Sequence, residues 1–130
     1  MSPLTHVVVP IVIAATIPFL TTLSAKIGKL SARDNLAPRA WQANLDGWRQ
    51  RATWAHANAF ETFPMFAVAV VLAHLGAPGN QLAIIAAYAY PALRVLYVAA
   101  FLANQGALRS TLWFVSMGAT ITLFAIALTG

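Results

Sequence analysis

Four stretches of this chain contain no Lys, Arg, Asp or Glu: residues 1–25, 62–93, 95–108 and 110–130. Nine of the eleven charges fall within residues 26–61, and single arginines part the remaining stretches; about 18 apolar residues suffice for a helix to cross a hydrocarbon layer roughly 30 Å thick. Across the 130 residues 60% are hydrophobic and 8% charged, against about 25% charged in ordinary soluble chains. A soluble all-helical protein is the alternative, but so small a chain has too much surface to cover with so few polar groups. The expected fold is therefore all-α: an integral membrane four-helix bundle, one transmembrane domain over residues 1–130 with spans near 6–25, 52–75, 81–103 and 107–128.

Turn residues mark the limits of these spans. Leu75-Gly76-Ala77-Pro78-Gly79-Asn80 closes the second span and Asn104-Gln105-Gly106 the third, and connections this short imply antiparallel neighbours. Pro18 inside the first span is expected to bend it, which membrane helices tolerate when neighbours satisfy the freed carbonyl. No Lys or Arg precedes the first span and its apolar length exceeds a signal core, so a cleaved signal peptide fits poorly.

The connection 26–51 holds Lys26, Lys29, Arg33, Arg39, Arg49 and Arg51 against Asp34 and Asp46, a local balance of +4, while residues 76–80 carry no charge. Excess Lys and Arg mark the cytoplasmic side, which puts this connection and the 104–109 turn inside and both termini outside. The same bias accounts for the basic residues without nucleic acid, for which there is no recognition motif. Trp41 and Trp48 suit the headgroup level, and the segment is expected to be partly helical along the surface. The absence of Cys excludes a disulfide, a redox dithiol and a cysteine nucleophile. No His, Asp or Glu cluster has metal-ligand spacing.

Ionisable residues within a span are costly, at least about 2.5–3.5 kcal/mol at a helix centre. Glu61 and Arg94 are two such residues. Each lies nine residues from the basic end of its span, about 14 Å at roughly 1.5 Å per residue, so a Glu61–Arg94 ion pair, direct or through water or substrate, is the expected way to carry both. Arg51, Trp54, Asn58 and Glu61 recur along one helical face, as do Tyr90, Arg94, Tyr97 and Phe101, and Arg109, Ser110 and Trp113 open the fourth span. Converging, these groups would form a polar pocket for an anionic or zwitterionic ligand. The plainer readings are snorkelling for Arg51 and Arg109, interface anchoring for Trp54 and Trp113, and helix cross-linking for Asn58. His56 points away from the stripe and reads as a packing residue.

Arg51-Ala52-Thr53-Trp54-Ala55-His56-Ala57-Asn58-Ala59-Phe60-Glu61-Thr62-Phe63-Pro64 resembles the second-helix signature of the MAPEG family, the membrane-associated proteins of eicosanoid and glutathione metabolism. Ala92-Leu93-Arg94-Val95-Leu96-Tyr97 resembles its third-helix signature, and Leu108-Arg109-Ser110 the start of its fourth helix. The resemblance implies a homotrimer with glutathione between neighbouring subunits in the cytoplasm-facing half of the membrane. By position it implies Arg109 as the thiolate-stabilising residue with Ser110 beside it, Asn58 and Glu61 as glutathione contacts and Arg94 as a buried helix-three arginine; Arg51 and Tyr97, on the same two helical faces, are expected to join Asn58, Glu61 and Arg94 in binding the cofactor. Trp54 and Ala57 stand where glutathione-using members often carry arginines, and Phe101 and Trp113 replace tyrosines.

The implied function is a glutathione-dependent transferase or peroxidase-like enzyme acting on a lipophilic electrophile delivered from the lipid, without a metal. The alternatives are a non-catalytic member that binds a lipid or protein, and a small transporter that couples proton movement through Glu61. The spare chain with bare termini suits a bacterial inner membrane.

Overall fold

The computed structural model describes residues 2–130, and the described residues contain helices but no strand. Four long helices, α1 (Thr5–Lys26), α3 (Gly47–Gly76), α4 (Gln81–Leu102) and α5 (Gly106–Thr129), are each long and apolar enough to cross a membrane. Between α1 and α3 lie a 3-10 turn at Asp34–Leu36 and the six-residue α2 (Pro38–Ala43), so the polar connection is partly ordered. Helix α3 starts at Gly47, five residues before the apolar run at Ala52, because its first turns are polar and stand at the end of the bundle.

The packing order follows from which helices touch. α1 meets α3 and α4, α5 meets α3 and α4, and α3 also meets α4, whereas α1 and α5 do not touch among the described residues. The bundle is therefore a ring in the order α1, α3, α5, α4, with α3 and α4 in contact across its short diagonal.

Small residues permit that approach. The buried face of α3 is Ala52, Ala55, Ala59, Thr62, Phe66, Ala69 and Ala73, at alternating steps of three and four; methyl-sized side chains let membrane helices come close. At the far end α3 meets α5 backbone to backbone: a Cβ on Gly76 would lie 2.7 Å from Ala127 O. Several hydroxyls inside the spans are satisfied along their own helices, as in Thr21 Oγ1 to Ile17 O at 2.7 Å and Ser116 Oγ to Trp113 O at 2.8 Å, whereas the buried Thr120 Oγ1 makes no hydrogen bond.

Helix ends are closed by side chains from elsewhere. Asn80 Oδ1 caps α4 by accepting from Ala83 N–H at 3.0 Å. At the basic end, Arg49 Nη1 donates to Ala25 O and Ile27 O at 2.8 and 3.0 Å, while Arg51 Nε and Nη2 donate to Leu102 O at 3.2 and 3.0 Å. Two arginines in the first turns of α3 thus hold the C-termini of α1 and α4, where unpaired carbonyls and the helix dipole favour a cation.

Candidate functional site

The polar residues of the spans collect on the α3–α4 diagonal. Arg94 on α4 is 2% exposed, and its Nη2 donates to Asn58 Oδ1 on α3 at 2.6 Å. Its guanidinium lies over the Tyr97 ring at 4.0 Å from the centroid. One turn deeper, Tyr90 Oη donates to Thr62 Oγ1 at 3.1 Å, and Thr62 Oγ1 donates to Asn58 O at 3.0 Å. Tyr90 is stacked on Phe66 at 3.9 Å, so an aromatic pair closes the inner end of this polar column. Arg94 Nη1 is buried and makes no hydrogen bond.

The expected direct ion pair between Glu61 and Arg94 is not made: the hydrogen bond from Arg94 goes to Asn58. Helical angle explains why. Asn58 sits at the margin of the buried face of α3, and Glu61, three residues on, is rotated about 60° further outward. Glu61 is exposed on the outside of the single chain. Thr62, four residues after Asn58, turns the other way and enters the contact with α4.

At the basic end a groove of about 230 Å³ is lined by Tyr97, Phe101, Arg109, Ser110, Trp113 and Phe114. Arg109 lies over the Phe101 ring at 4.8 Å, a placement in which the ring face and the cation attract. Phe101 also meets Tyr97 edge-on at 5.7 Å and Trp54 at 6.5 Å, while Trp113 and Phe114 are edge to face at 5.1 Å. The result is a cationic spot within aromatic walls. Tyr97 joins the two parts, with one role under Arg94 and another in the groove wall.

The fold thus brings together Asn58, Arg94 and Tyr97, and separately Tyr97, Arg109 and Ser110. It leaves Glu61 facing outward and commits Arg51 to Leu102 O. His56 donates from Nδ1 to Pro18 O at 2.8 Å, since a carbonyl can only accept, and packs against Phe60 at 4.9 Å; it ties α3 to α1. Thr62 and Phe114 were not singled out from sequence. Thr62 lies one turn after Asn58 on the buried face, a spacing that could have marked it.

His6, His74 and Asn80 meet at the far end around a cavity of about 50 Å³, with room for a few water molecules. No group of three or more metal-ligating side chains gathers among the described residues.

What the basic-end arrangement can do follows from its charges. The Arg109 guanidinium lines the groove with no carboxylate in its lining, so it suits an anionic ligand gripped by charge-assisted hydrogen bonds, while Arg94, behind Tyr97, is buried with one donor unpaired. The ligand's apolar portion would meet aromatic rings.

The sequence model of the MAPEG family matches residues 4–129. No curated protein matches the chain.

Proposed function

The chain belongs to the MAPEG family, a family of membrane four-helix bundles with glutathione-dependent enzymes and non-catalytic members, and from that premise we propose that it is a glutathione-dependent transferase or peroxidase-like enzyme acting on a lipophilic electrophile. The observation that carries this reading is the groove in which Arg109 and Ser110 stand among Tyr97, Phe101, Trp113 and Phe114. The residues present fit glutathione: the tripeptide is anionic, and Arg94 Nη1 is a buried charged donor without an acceptor.

Glutathione, when bound, supplies the sulfur nucleophile. Arg109 favours the charged form of that sulfur, as a nearby cation does for any thiol, and Ser110 is placed beside it to donate a hydrogen bond. Arg94 and Asn58 orient the tripeptide's polar groups, with Tyr97 fixing the Arg94 guanidinium from below. The rings of Phe101, Trp113 and Phe114 exclude water and receive the apolar partner from the lipid. Arg51 serves the site indirectly by holding the end of α4, which carries Phe101.

The groove is smaller than the 300–1,000 Å³ typical of pockets for such ligands, which supports completion of the site by another copy of the chain. Glu61 supports the same assembly. An exposed carboxylate at membrane depth is too costly to face lipid, so a homotrimer that covers it and adds it to the site accounts for its position. The excess of Lys and Arg at this end supports a cytoplasm-facing site, and a bacterial inner membrane is the host we infer.

The non-catalytic reading is favoured by one finding: Arg51 is spent on Leu102 O, so it does not replace the cations missing at Trp54 and Ala57. Turnover decides between the two. Purified protein should conjugate glutathione to a chloronitrobenzene or reduce a lipid hydroperoxide, and Arg109→Ala should lose that turnover. Wild type that binds glutathione but turns over neither acceptor would favour the binding role. Because Glu61 is free of Arg94, proteoliposomes are the control for a transporter: no proton-coupled flux is expected, and one abolished by Glu61→Gln would overturn the enzyme reading.

A further inference from the structure

The connection between α1 and α3 lies against the bundle at a defined level. Gln42 Nε2 on α2 donates to Thr22 Oγ1 on α1 at 3.1 Å, and Arg49 holds Ala25 O and Ile27 O. Leu45 is buried. Thr22 is one turn inside the end of α1, so this bond brings α2 level with the last turn of a helix apolar enough to cross a membrane, the level at which lipid headgroups lie.

The outward groups of this segment are of two kinds. Ile27 and Leu36 are 64% and 85% exposed, apolar side chains that the single chain leaves uncovered. Lys29, Arg33 and Arg39 are exposed cations, and Lys26 is half-buried at the end of α1. Of the two acids in the segment, Asp34 is occupied, its Oδ2 accepting from Ser31 N–H at 3.2 Å and from Ser31 Oγ at 2.8 Å, and Asp46 stands at its end, just before α3. Arg33, Asp34, Trp41 and Asn44 line a groove of about 400 Å³, within the usual range for a small-molecule site. Arg49 and Arg51 are excluded from the set because their guanidiniums are bound to helix-end carbonyls.

Apolar side chains beside unpaired cations, at the level of a membrane surface, are the chemistry of an anionic-lipid contact. We propose that residues 26–44 bind the headgroups of acidic phospholipids in the leaflet they face, with Lys26, Lys29, Arg33 and Arg39 on the phosphates and Trp41 in the groove wall. The contact is independent of the thiol site and of any catalytic activity.

The full chain, reconstituted in bilayers, should be probed with spin-labelled phosphatidylglycerol and spin-labelled phosphatidylcholine. The motionally restricted fraction is expected to favour phosphatidylglycerol by about fivefold, the contribution of roughly one basic residue near a charged surface. That preference should disappear in the K26Q/K29Q/R33Q/R39Q variant and at about 1 M salt, where screening acts within roughly 3 Å. The R33K/R39K variant should keep it. Equal binding of the two lipids by wild type, or a preference that survives both salt and the four substitutions, overturns the proposal. Should the fourfold variant fail to assemble, the wild-type salt titration decides alone.

Discussion

Arg94 Nη2 and Asn58 Oδ1 are 2.6 Å apart across the contact of α4 with α3, and this bond organises the polar interior of the bundle. It sets a buried guanidinium over Tyr97 and links it, through the backbone of Asn58, to Thr62 and Tyr90. Replacing Asn58 by Leu removes the hydrogen-bonding side chain from a charge that is 2% exposed. Hydrogen bonds to charged groups contribute about 1.5–3 kcal/mol. A stability loss of that size is expected in reversible unfolding from detergent micelles; an unchanged midpoint would show that the pair carries no stability.

Arg51 separates the structural from the ligand-binding arginines. Its two hydrogen bonds close the C-terminus of α4 at Leu102 O, so Arg51→Gln should cost about 1 kcal/mol of stability while leaving glutathione affinity within about twofold. Parallel unfolding and titration measurements check both halves. A large loss of affinity at full stability would place Arg51 on the ligand instead.

At Gly76 the backbones of α3 and α5 come close, and an added Cβ would meet Ala127 O at 2.7 Å. The obstacle is backbone rather than a flexible side chain, so Gly76→Ala should destabilise the bundle by about 1–3 kcal/mol, the usual range for overpacking. Ligand affinity, set at the other end of the helices, should be unaffected. Thermal unfolding of the variant is the measurement.

Most of the helical framework was legible because it depends on where charge is absent. The uncharged stretches and the turns at Gly76–Asn80 and Asn104–Gly106 locate the long helices, and the resemblance pointed to the family that the match over residues 4–129 then established. The ring order was not legible, since it rests on which small-residue faces meet, and Ala-rich faces recur on α3 and α4 alike. Within the site, the periodicity grouped Asn58 with Glu61 and Arg94 with Tyr97. It treated Asn58 and Glu61 as one face, although their offset of about 60° puts one at the helix contact and the other outside. From sequence Arg51 suits a ligand or a headgroup, because a helix-end carbonyl from another helix leaves no trace there; the structure commits it to Leu102 O.

Trp54 is 52% exposed and lies 6.5 Å from Phe101 at the lip of the groove. The resemblance places an arginine here in members that grip glutathione's carboxylates. Trp54→Arg should therefore strengthen glutathione binding by about tenfold, the yield of roughly one additional charge-assisted hydrogen bond. Competition titration of the variant against wild type reads this directly, and an unchanged or weakened affinity would mean that the cation at this position does not reach the ligand.

The most direct test of the account is calorimetric titration of glutathione into the purified full chain, beside the Arg109→Ala variant with its fold verified by circular dichroism. Wild type is expected to bind in the micromolar to millimolar range, and the variant to bind more weakly and to release no proton from the thiol at neutral pH. No binding by folded wild type at millimolar glutathione, or equal binding and equal proton release by the two proteins, would contradict it.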